Sequence, residues 1–198
     1  MAGLNDDAIF TAARGFVLVA PVGTEGPDVQ DIAAFDETTL PAGWALIGHT
    51  SAEELPEFGF DGGDTEVRGS WQNAQLKTVQ TETLVDYMTM NVMQFDADTF
   101  ELYYGEANTD SSTPGVFQVL TNETEGADRA LAVVMVDGDF KIGFHAPKAN
   151  LRRDEAISLE TDSYAYMPIR ATFLKEPGKP LYEWIVPSLV QESSSSEA

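Results

Sequence analysis

The densest group of ionisable side chains lies in segment 61–66, which reads DGGDTE and holds Asp61, Asp64 and Glu66. Carboxylate oxygens are the ligands that a hard cation such as Ca²⁺ prefers. The spacing does not match the twelve-residue calcium loop, and a solvated acidic turn has the same composition. The sequence therefore predicts no metal site in this segment, and its carboxylates remain candidates for a charged surface.

General bases and nucleophiles are scarce in the chain. Only two histidines occur, His49 and His145, and neither is accompanied by a serine or cysteine motif. Cysteine is absent, which excludes disulfides and thiolate metal sites. The many carboxylates do not single out a glycosidase-type pair, although counting alone does not exclude one. We therefore predict a protein that is not an enzyme, with no catalytic residues, no metal and no cofactor.

The charge balance is strongly acidic, with 33 Asp and Glu against 11 Lys and Arg, for a net charge of −22. Tight binding of nucleic acid requires Lys and Arg to neutralise phosphates, and the longest basic run is Arg152-Arg153. A DNA-gripping role is disfavoured, while a surface that DNA must pass without sticking suits this charge. Plain solubility and a halophilic origin are equally compatible with it.

Aromatic and arginine side chains provide candidate contact sites. Trp44 and Trp71, with several tyrosines, could form a carbohydrate-binding platform, but packing in a core or a subunit interface is commoner. Arg152 and Arg153 precede Asp154-Glu155, so this stretch could form ion pairs across a subunit boundary or an exposed turn. We take Trp44, Trp71, Arg152 and Arg153 as inter-subunit candidates.

Most of the chain has the alternation and β-branched content of strands. The predicted strands are 15–20, 44–49, a long strand or hairpin from 76 to 92, 116–120, 130–136, 139–145, 156–160, 164–174 and 181–186. The Asp137-Gly138 pair predicts a type I′ hairpin, and Pro147 to Asn150 reads as a turn. Pro168 places its strand at a sheet edge or a bulge.

One short helix is predicted at 96–104. Asp96 can accept hydrogen bonds from the first-turn amides, and Asp98 lies where the helix dipole favours a negative charge. Gly105 can adopt the left-handed conformation that ends a helix. We expect this helix to pack on the sheet through its aromatic residues.

A chain of 198 residues suits one domain with arms. We predict an N-terminal arm at 1–13, a single domain at 14–187 and a disordered serine-rich tail at 188–198. The long loop 21–43 is rich in Pro and Gly and is expected to be functional or ordered against a partner. The predicted fold is mainly β, a β-sandwich or partly closed barrel with one flanking helix. No signal peptide and no apolar run of membrane-spanning length is seen, so no membrane association is expected.

Several short patches resemble the major tail tube proteins of long, non-contractile tailed bacteriophages, especially those that infect actinobacteria. The patches are GWALIGHTS at 43–51, the turn at 58–64, GSWQN at 69–73, and VMQFD at 92–96 leading to Tyr103-Tyr104-Gly105. The strand-rich second half with its Asp-Gly hairpin agrees, so the resemblance covers most of residues 14–187.

This resemblance implies a virion protein made in the host bacterial cytoplasm and located in the tail. Protomers are expected to form hexameric rings that stack into a hollow tube, and to meet the tape measure, tail terminator and distal tail proteins. DNA would pass through the lumen at ejection without specific binding. Asp61, Asp64, Glu66 and Glu82 are the expected lumen carboxylates because they lie on or beside the proposed inner strands.

Two other functions remain open from the sequence. One is a monomeric β-sandwich module that binds glycans or cell surfaces, and the other is a different virion component, such as a decoration or tail terminator protein. Particle size separates the first from a tube subunit, because a tube protein forms rings or polymers.

Overall fold

A computed structural model describes residues 4, 8–121, 125–159 and 161–188. Its strands are β1 (Arg14–Ala20), β2 (Ala45–Leu46), β3 (Glu57–Asp61), β4 (Thr65–Arg68), β5 (Lys77–Gln80), β6 (Val85–Val92), β7 (Thr109–Asp110), β8 (Gln118–Val119), β9 (Ala127–Asp137), β10 (Phe140–Arg153), β11 (Met167–Phe173) and β12 (Glu183–Ile185). The helices are α1 (Val29–Ala33) and α2 (Ala97–Tyr104), and a 3-10 turn follows at Glu106–Asn108.

Eight of these strands form one antiparallel sheet in the order β2-β1-β9-β10-β11-β6-β3, with β12 also pairing with β10. The pairs β4–β5 and β7–β8 form two small separate sheets. The predicted mainly β class is confirmed, and the large sheet is not a closed barrel, consistent with the β-sandwich.

Strand β10 organises this sheet because three other strands pair with it. It runs beside β9 for most of its length, pairs with β12 at 143–145 and with β11 at 149–153. The β9–β10 register shifts between Ala146 and Ala149, around Pro147, and such a bulge bends a strand. The predicted turn at Pro147 to Asn150 is therefore wrong, since the strand continues through it.

The neighbouring strands β1 and β9 contribute buried residues to both faces of the sheet. On one face Val17, Leu131 and Val133 join the main core with Phe144 and the buried side of β6 and β11. The opposite face is covered by a second cluster to which α1 and loop 21–43 contribute, with members that include Leu18, Ile32, Phe35, Trp44, Ala132 and Val134. Loop 21–43 is thus a packed cover of this sheet within one protomer.

The predicted helix at 96–104 is confirmed as α2. The Asp96 side chain accepts a hydrogen bond from the backbone N–H of Thr99 at 3.0 Å, and the Thr99 hydroxyl accepts one from the backbone N–H of Asp96 at 3.1 Å. Gly105 ends the helix with φ of 91°. Leu102 and Tyr103 are buried against the sheet, so local capping and packing select the same segment.

The Asp137-Gly138 hairpin is also present, but its turn differs in type from the prediction. Asp137 pairs with Phe140, so Gly138 and Asp139 are the two central residues. Gly138 has φ of 60°, and no non-glycine residue in the described ranges has positive φ. Positive φ at the first central position alone is the pattern of a type II′ turn rather than type I′.

Several predicted strands are shorter or interrupted. The run from 76 to 92 is divided into β5, which pairs with β4, and β6, which pairs with β11 and β3. It is therefore neither a single long strand nor a hairpin of its own. The described part of segment 156–160 contributes only the bridge between Ser158 and Tyr166. Pro168 lies in β11 between β10 and β6, so its edge placement is wrong, and it sits one residue beyond the β10–β11 ladder. The proposed terminal tail beyond residue 188 lies outside the described residues, as does most of segment 1–7.

Candidate assembly surfaces

Segment 62–84 projects from the end of the β3–β6 pair as the hairpin of β4 and β5, and we call it the hairpin arm. Gly62 and Gly63 start it with φ of 70° and 79°, a conformation that only glycine adopts without strain. An added Cβ at Gly62 would lie 2.4 Å from the Thr83 carbonyl oxygen, so the two backbone segments that enter and leave the arm lie close together at its root. Every residue from 64 to 84 is exposed except Val79, which is half-buried.

The tip of the hairpin arm carries a solvent-exposed tryptophan. The backbone of Ser70 and the backbone of Asn73 exchange hydrogen bonds of 2.6 and 3.2 Å, which closes a tight turn around Trp71 and Gln72. Trp71 is 100% exposed. Val67 and Leu76 on the same arm are exposed by more than half. Such apolar exposure on a segment outside the core is typical of a contact surface.

The four acidic candidates Asp61, Asp64, Glu66 and Glu82 all lie at the root of the hairpin arm. The backbone carbonyl of Asp64 accepts a hydrogen bond from Thr81 N–H at 2.8 Å, which brings Asp64 beside Glu82. Asp61 pairs with Arg170, and Glu66 contacts Arg68 at 3.3 Å. Asp64 and Glu82 have no cation within 4.0 Å in the described ranges. The structure therefore groups residues that are spread over 22 positions of sequence, from 61 to 82.

A second surface is the cleft of about 500 Å³ at the end of β10, which we call the arginine cleft. Its lining includes Tyr103, Tyr104, Arg152, Arg153, Glu155 and Ala156. The Tyr103 hydroxyl donates to the Glu155 carbonyl at 2.6 Å, which fixes α2 against the segment after β10. Burial raises the pKa of Tyr103, and the Tyr104 phenol adds to this effect while Arg153 opposes it. Tyr103 is therefore a neutral hydroxyl at physiological pH.

Arg152 and Arg153 are exposed and stand apart from the other cations of the chain. Six of the eleven Lys and Arg side chains contact a carboxylate of a described residue: Arg14, Arg68, Arg129, Lys148, Arg170 and Lys179. Lys141 and Lys175 donate to backbone carbonyls. Within the described ranges, the structure places no carboxylate within 4.0 Å of Arg152, Arg153 or Lys77. In a chain this acidic, two adjacent arginines without a carboxylate partner among the described residues form a distinct site.

Trp44 lies in the core rather than at the surface, which corrects its selection as an inter-subunit candidate. It is 6% exposed, its indole N–H donates to the Glu25 carbonyl at 3.0 Å, and its ring meets His145 edge-on. His145 is buried with Nδ1 2.8 Å from Glu183. Trp44 and His145 together hold loop 21–43 and β12 in place. Because Trp44 is buried, its side chain is not available for direct contact with another subunit.

Sequence reasoning identified Tyr103 and Tyr104 as packing residues of α2 but missed their place beside Arg152 and Arg153. The two segments are separated by about fifty positions, and only the contact of α2 with the end of β10 brings them together. No local pattern in the sequence carries this information.

In the part of the chain that the structure describes, no group of three or more acidic or histidine side chains is arranged to hold a metal ion. No helix in those residues has the length and hydropathy to cross a membrane. The two surfaces differ in character: the hairpin arm has an acidic root, and the cleft is lined by two tyrosines, two arginines and the acidic residues Glu125, Asp154 and Glu155.

Comparison with known proteins agrees with this character. The chain matches the family described as phage tail tube protein over residues 2–196. It is 45% identical to the major tail protein Gp23 of Mycobacterium phage D29 over 186 residues, which is 91% of this chain and 92% of the relative. The corresponding protein of Mycobacterium phage L5 is 44% identical over the same shares of the two chains.

The chain belongs to the phage tail tube protein family. It is a structural protein of the virion tail with no enzymatic role, and a subunit that assembles with copies of itself and with other tail components. The alternatives of a glycan-binding module, a decoration protein and a tail terminator are set aside, because the family match spans nearly the whole chain.

Proposed function

We propose that this chain forms hexameric rings that stack into a hollow tube, and that viral DNA passes through the acidic lumen at ejection. The observation that carries the proposal is the hairpin arm, whose apolar side chains are exposed in the single protomer. A separate two-stranded hairpin is at best marginally stable in water, so contacts with other copies would stabilise the hairpin arm. Membership of the tail tube family supports the same conclusion.

The lumen assignment rests on charge. A net charge of −22 gives a surface that repels phosphates, and Asp64 and Glu82 lie free of cations at the root of the arm. We propose that Asp61, Asp64, Glu66 and Glu82 face the bore. DNA then moves past fixed negative charges without the Lys and Arg contacts that would hold it.

We propose further that the chain assembles in the host bacterial cytoplasm and that its partners are the tape measure, tail terminator and distal tail proteins. The chain has no cysteine, so its assembly does not depend on an oxidising compartment. The hairpin arm, with Val67, Trp71 and Leu76 exposed, supplies a surface for such partners.

Negative-stain electron microscopy and sedimentation velocity of the purified chain test the proposal. We expect rings or tubes, with assembly favoured at higher salt because salt screens repulsion between acidic copies. A protein that stays monomeric at every salt concentration would contradict the proposed function.

The double variant Asp64→Lys/Glu82→Lys tests the lumen. We expect it to fold and assemble, and its tubes to retain DNA that wild-type tubes release, as measured by co-sedimentation. Glu53→Lys/Glu54→Lys, a change of equal charge on a different exposed segment, is the matched control. Equal DNA retention by both double variants would place Asp64 and Glu82 outside the bore.

A further inference from the structure

The hairpin arm and the arginine cleft lie at opposite ends of the same strands. The arm leaves the sheet at the paired residues Asp61 and Val85. When the strand registers are followed from β6 through β11 to β10, the residue of β10 that lies level with this pair is Lys148. Arg153 is five residues further along β10, which corresponds to about 17 Å at the rise of a β-strand. The protomer therefore carries a projecting arm at one end of this part of the sheet and a recess toward the other.

The two surfaces are chemically complementary. Trp71 is a fully exposed indole at the tip of the arm. The cleft offers two tyrosine rings and two arginines that have no carboxylate within 4.0 Å in the described ranges, and it is also lined by Glu125, Asp154 and Glu155. A guanidinium binds well over an aromatic face. The chain uses this contact elsewhere, since Arg170 lies 3.6 Å from the Tyr87 ring centroid and Arg14 lies 5.3 Å from that of Phe16.

The cleft is also large enough for the proposed occupant. Its volume of about 500 Å³ exceeds that of an indole and leaves room for the backbone of a hairpin tip. The tip 69–75 carries no charged residue, so it can approach the cleft without bringing further carboxylates to an acidic surface.

We propose that Trp71 of one copy inserts into the arginine cleft of a second copy, where Arg152 and Arg153 lie against its indole and Tyr103 and Tyr104 line the recess. The occupant of the cleft is thus the hairpin arm of another copy of this chain. This contact rests on the proposed self-assembly and specifies one of its interfaces.

A contact between two different surfaces is heterologous, so after each joining step the open assembly still has one free arm at one end and one free cleft at the other. Repetition of the contact extends an assembly rather than stopping at a pair. The polarity also predicts that a copy without a working arm and a copy without a working cleft can still join each other once.

Disulfide trapping tests the contact directly, because the natural chain has no cysteine. Gln72→Cys keeps Trp71 and places a thiol next to it, and Ala156→Cys places a thiol in the cleft. An equimolar mixture of the two variants should give a disulfide-linked dimer under mild oxidation. Gln72→Cys mixed with Val22→Cys, an exposed position outside the cleft, is the control and should give at most background cross-linking.

Complementation provides the second measurement. Trp71→Ala should weaken association on the order of ten-fold, and Arg152→Glu/Arg153→Glu should weaken it at least as much. At a protein concentration too low for either variant to associate alone, their mixture should still form a single joint, visible as a new species in sedimentation velocity. Arg152→Lys/Arg153→Lys keeps the charge but loses the planar stacking group, so it should give an intermediate loss.

The outcomes separate this contact from the proposed function. Tubes that form without the specific cross-link, or that Trp71→Ala leaves unchanged, would overturn the contact while the tube role stands. A specific cross-link supports the contact whether or not tubes are seen. If the wild-type chain forms no tubes and the cysteine pair forms no specific cross-link, both the contact and the proposed function are overturned.

Discussion

The β9–β10 region and the hairpin arm are both antiparallel hairpins, yet one holds the protomer together and the other projects from it. Strands β9 and β10 contribute buried residues to the two apolar clusters, and Leu131, Val134 and Phe144 are at most 1% exposed. The hairpin arm has no residue in either cluster. Identical local geometry therefore serves folding in one place and leaves apolar surface for assembly in the other.

This difference predicts that stability and assembly can be changed separately. Substitutions in the β9–β10 region should lower the free energy of unfolding of the protomer. Substitutions on the hairpin arm should leave that free energy nearly constant and change association, because the arm buries little in its own chain.

The largest effect is expected for Phe144→Ala. Phe144 is 1% exposed and its ring contacts Phe58, Phe173, Tyr182 and Trp184. Loss of the ring leaves a cavity and should reduce the free energy of unfolding by about 3–5 kcal/mol, measured by denaturant titration under monomeric conditions. A loss below about 1 kcal/mol would mean that this region is not the organising core.

An intermediate effect is expected for Asp96→Ala at the N-terminus of α2. Removal of the cap should cost about 1 kcal/mol at neutral pH. Burial opposes ionisation of Asp96, but hydrogen bonds from the Thr99 backbone N–H and the Gln94 side chain outweigh it and lower the pKa of Asp96. The stabilisation from a carboxyl with a lowered pKa is present above its unfolded value, near 3.8, and is lost as pH falls through the folded value.

The pH dependence supplies the control for this prediction. Wild type and Asp96→Ala should differ in unfolding free energy above about pH 5 and converge at pH values below the folded pKa of Asp96. A difference that stays constant down to strongly acidic pH would show that the carboxylate charge does not contribute to the cap.

The smallest effect on stability is expected for Leu76→Ser on the hairpin arm. Leu76 is 58% exposed, so the free energy of unfolding of the monomer should change by no more than about 0.5 kcal/mol. Association should nevertheless weaken, as measured by the protein concentration at which large species appear in sedimentation. A substantial loss of monomer stability would show that the arm packs on its own domain and would remove the contrast with β9–β10.

Prediction from the sequence succeeded where the determining contacts are close along the chain. The capped helix at Asp96 and the hairpin at Gly138 depend on residues within a few positions of each other, and both are present. It was wrong at Pro147 and Pro168, because a proline was taken to stop or displace a strand. In the folded protein a bulge accommodates Pro147, and Pro168 lies just beyond the β10–β11 ladder.

The candidate surfaces divide in the same way. The sequence named Trp71 and Trp44 alike as candidates for contact between subunits, and the structure exposes Trp71 fully but buries Trp44. Exposure depends on which segment covers a position, and in this protein loop 21–43 covers the face of β1 and β9 that Trp44 completes.

The sequence by itself determined the strand-rich class, the helix at its capping residues, the acidic charge and the absence of thiol chemistry, because these depend on composition and on neighbours along the chain. Only the tertiary structure decided that β10 joins three strands, that the four acidic residues meet at the root of one arm, and that α2 and β10 form a cleft that contains Arg152 and Arg153. Each of these depends on long-range pairing registers, which no local pattern specifies.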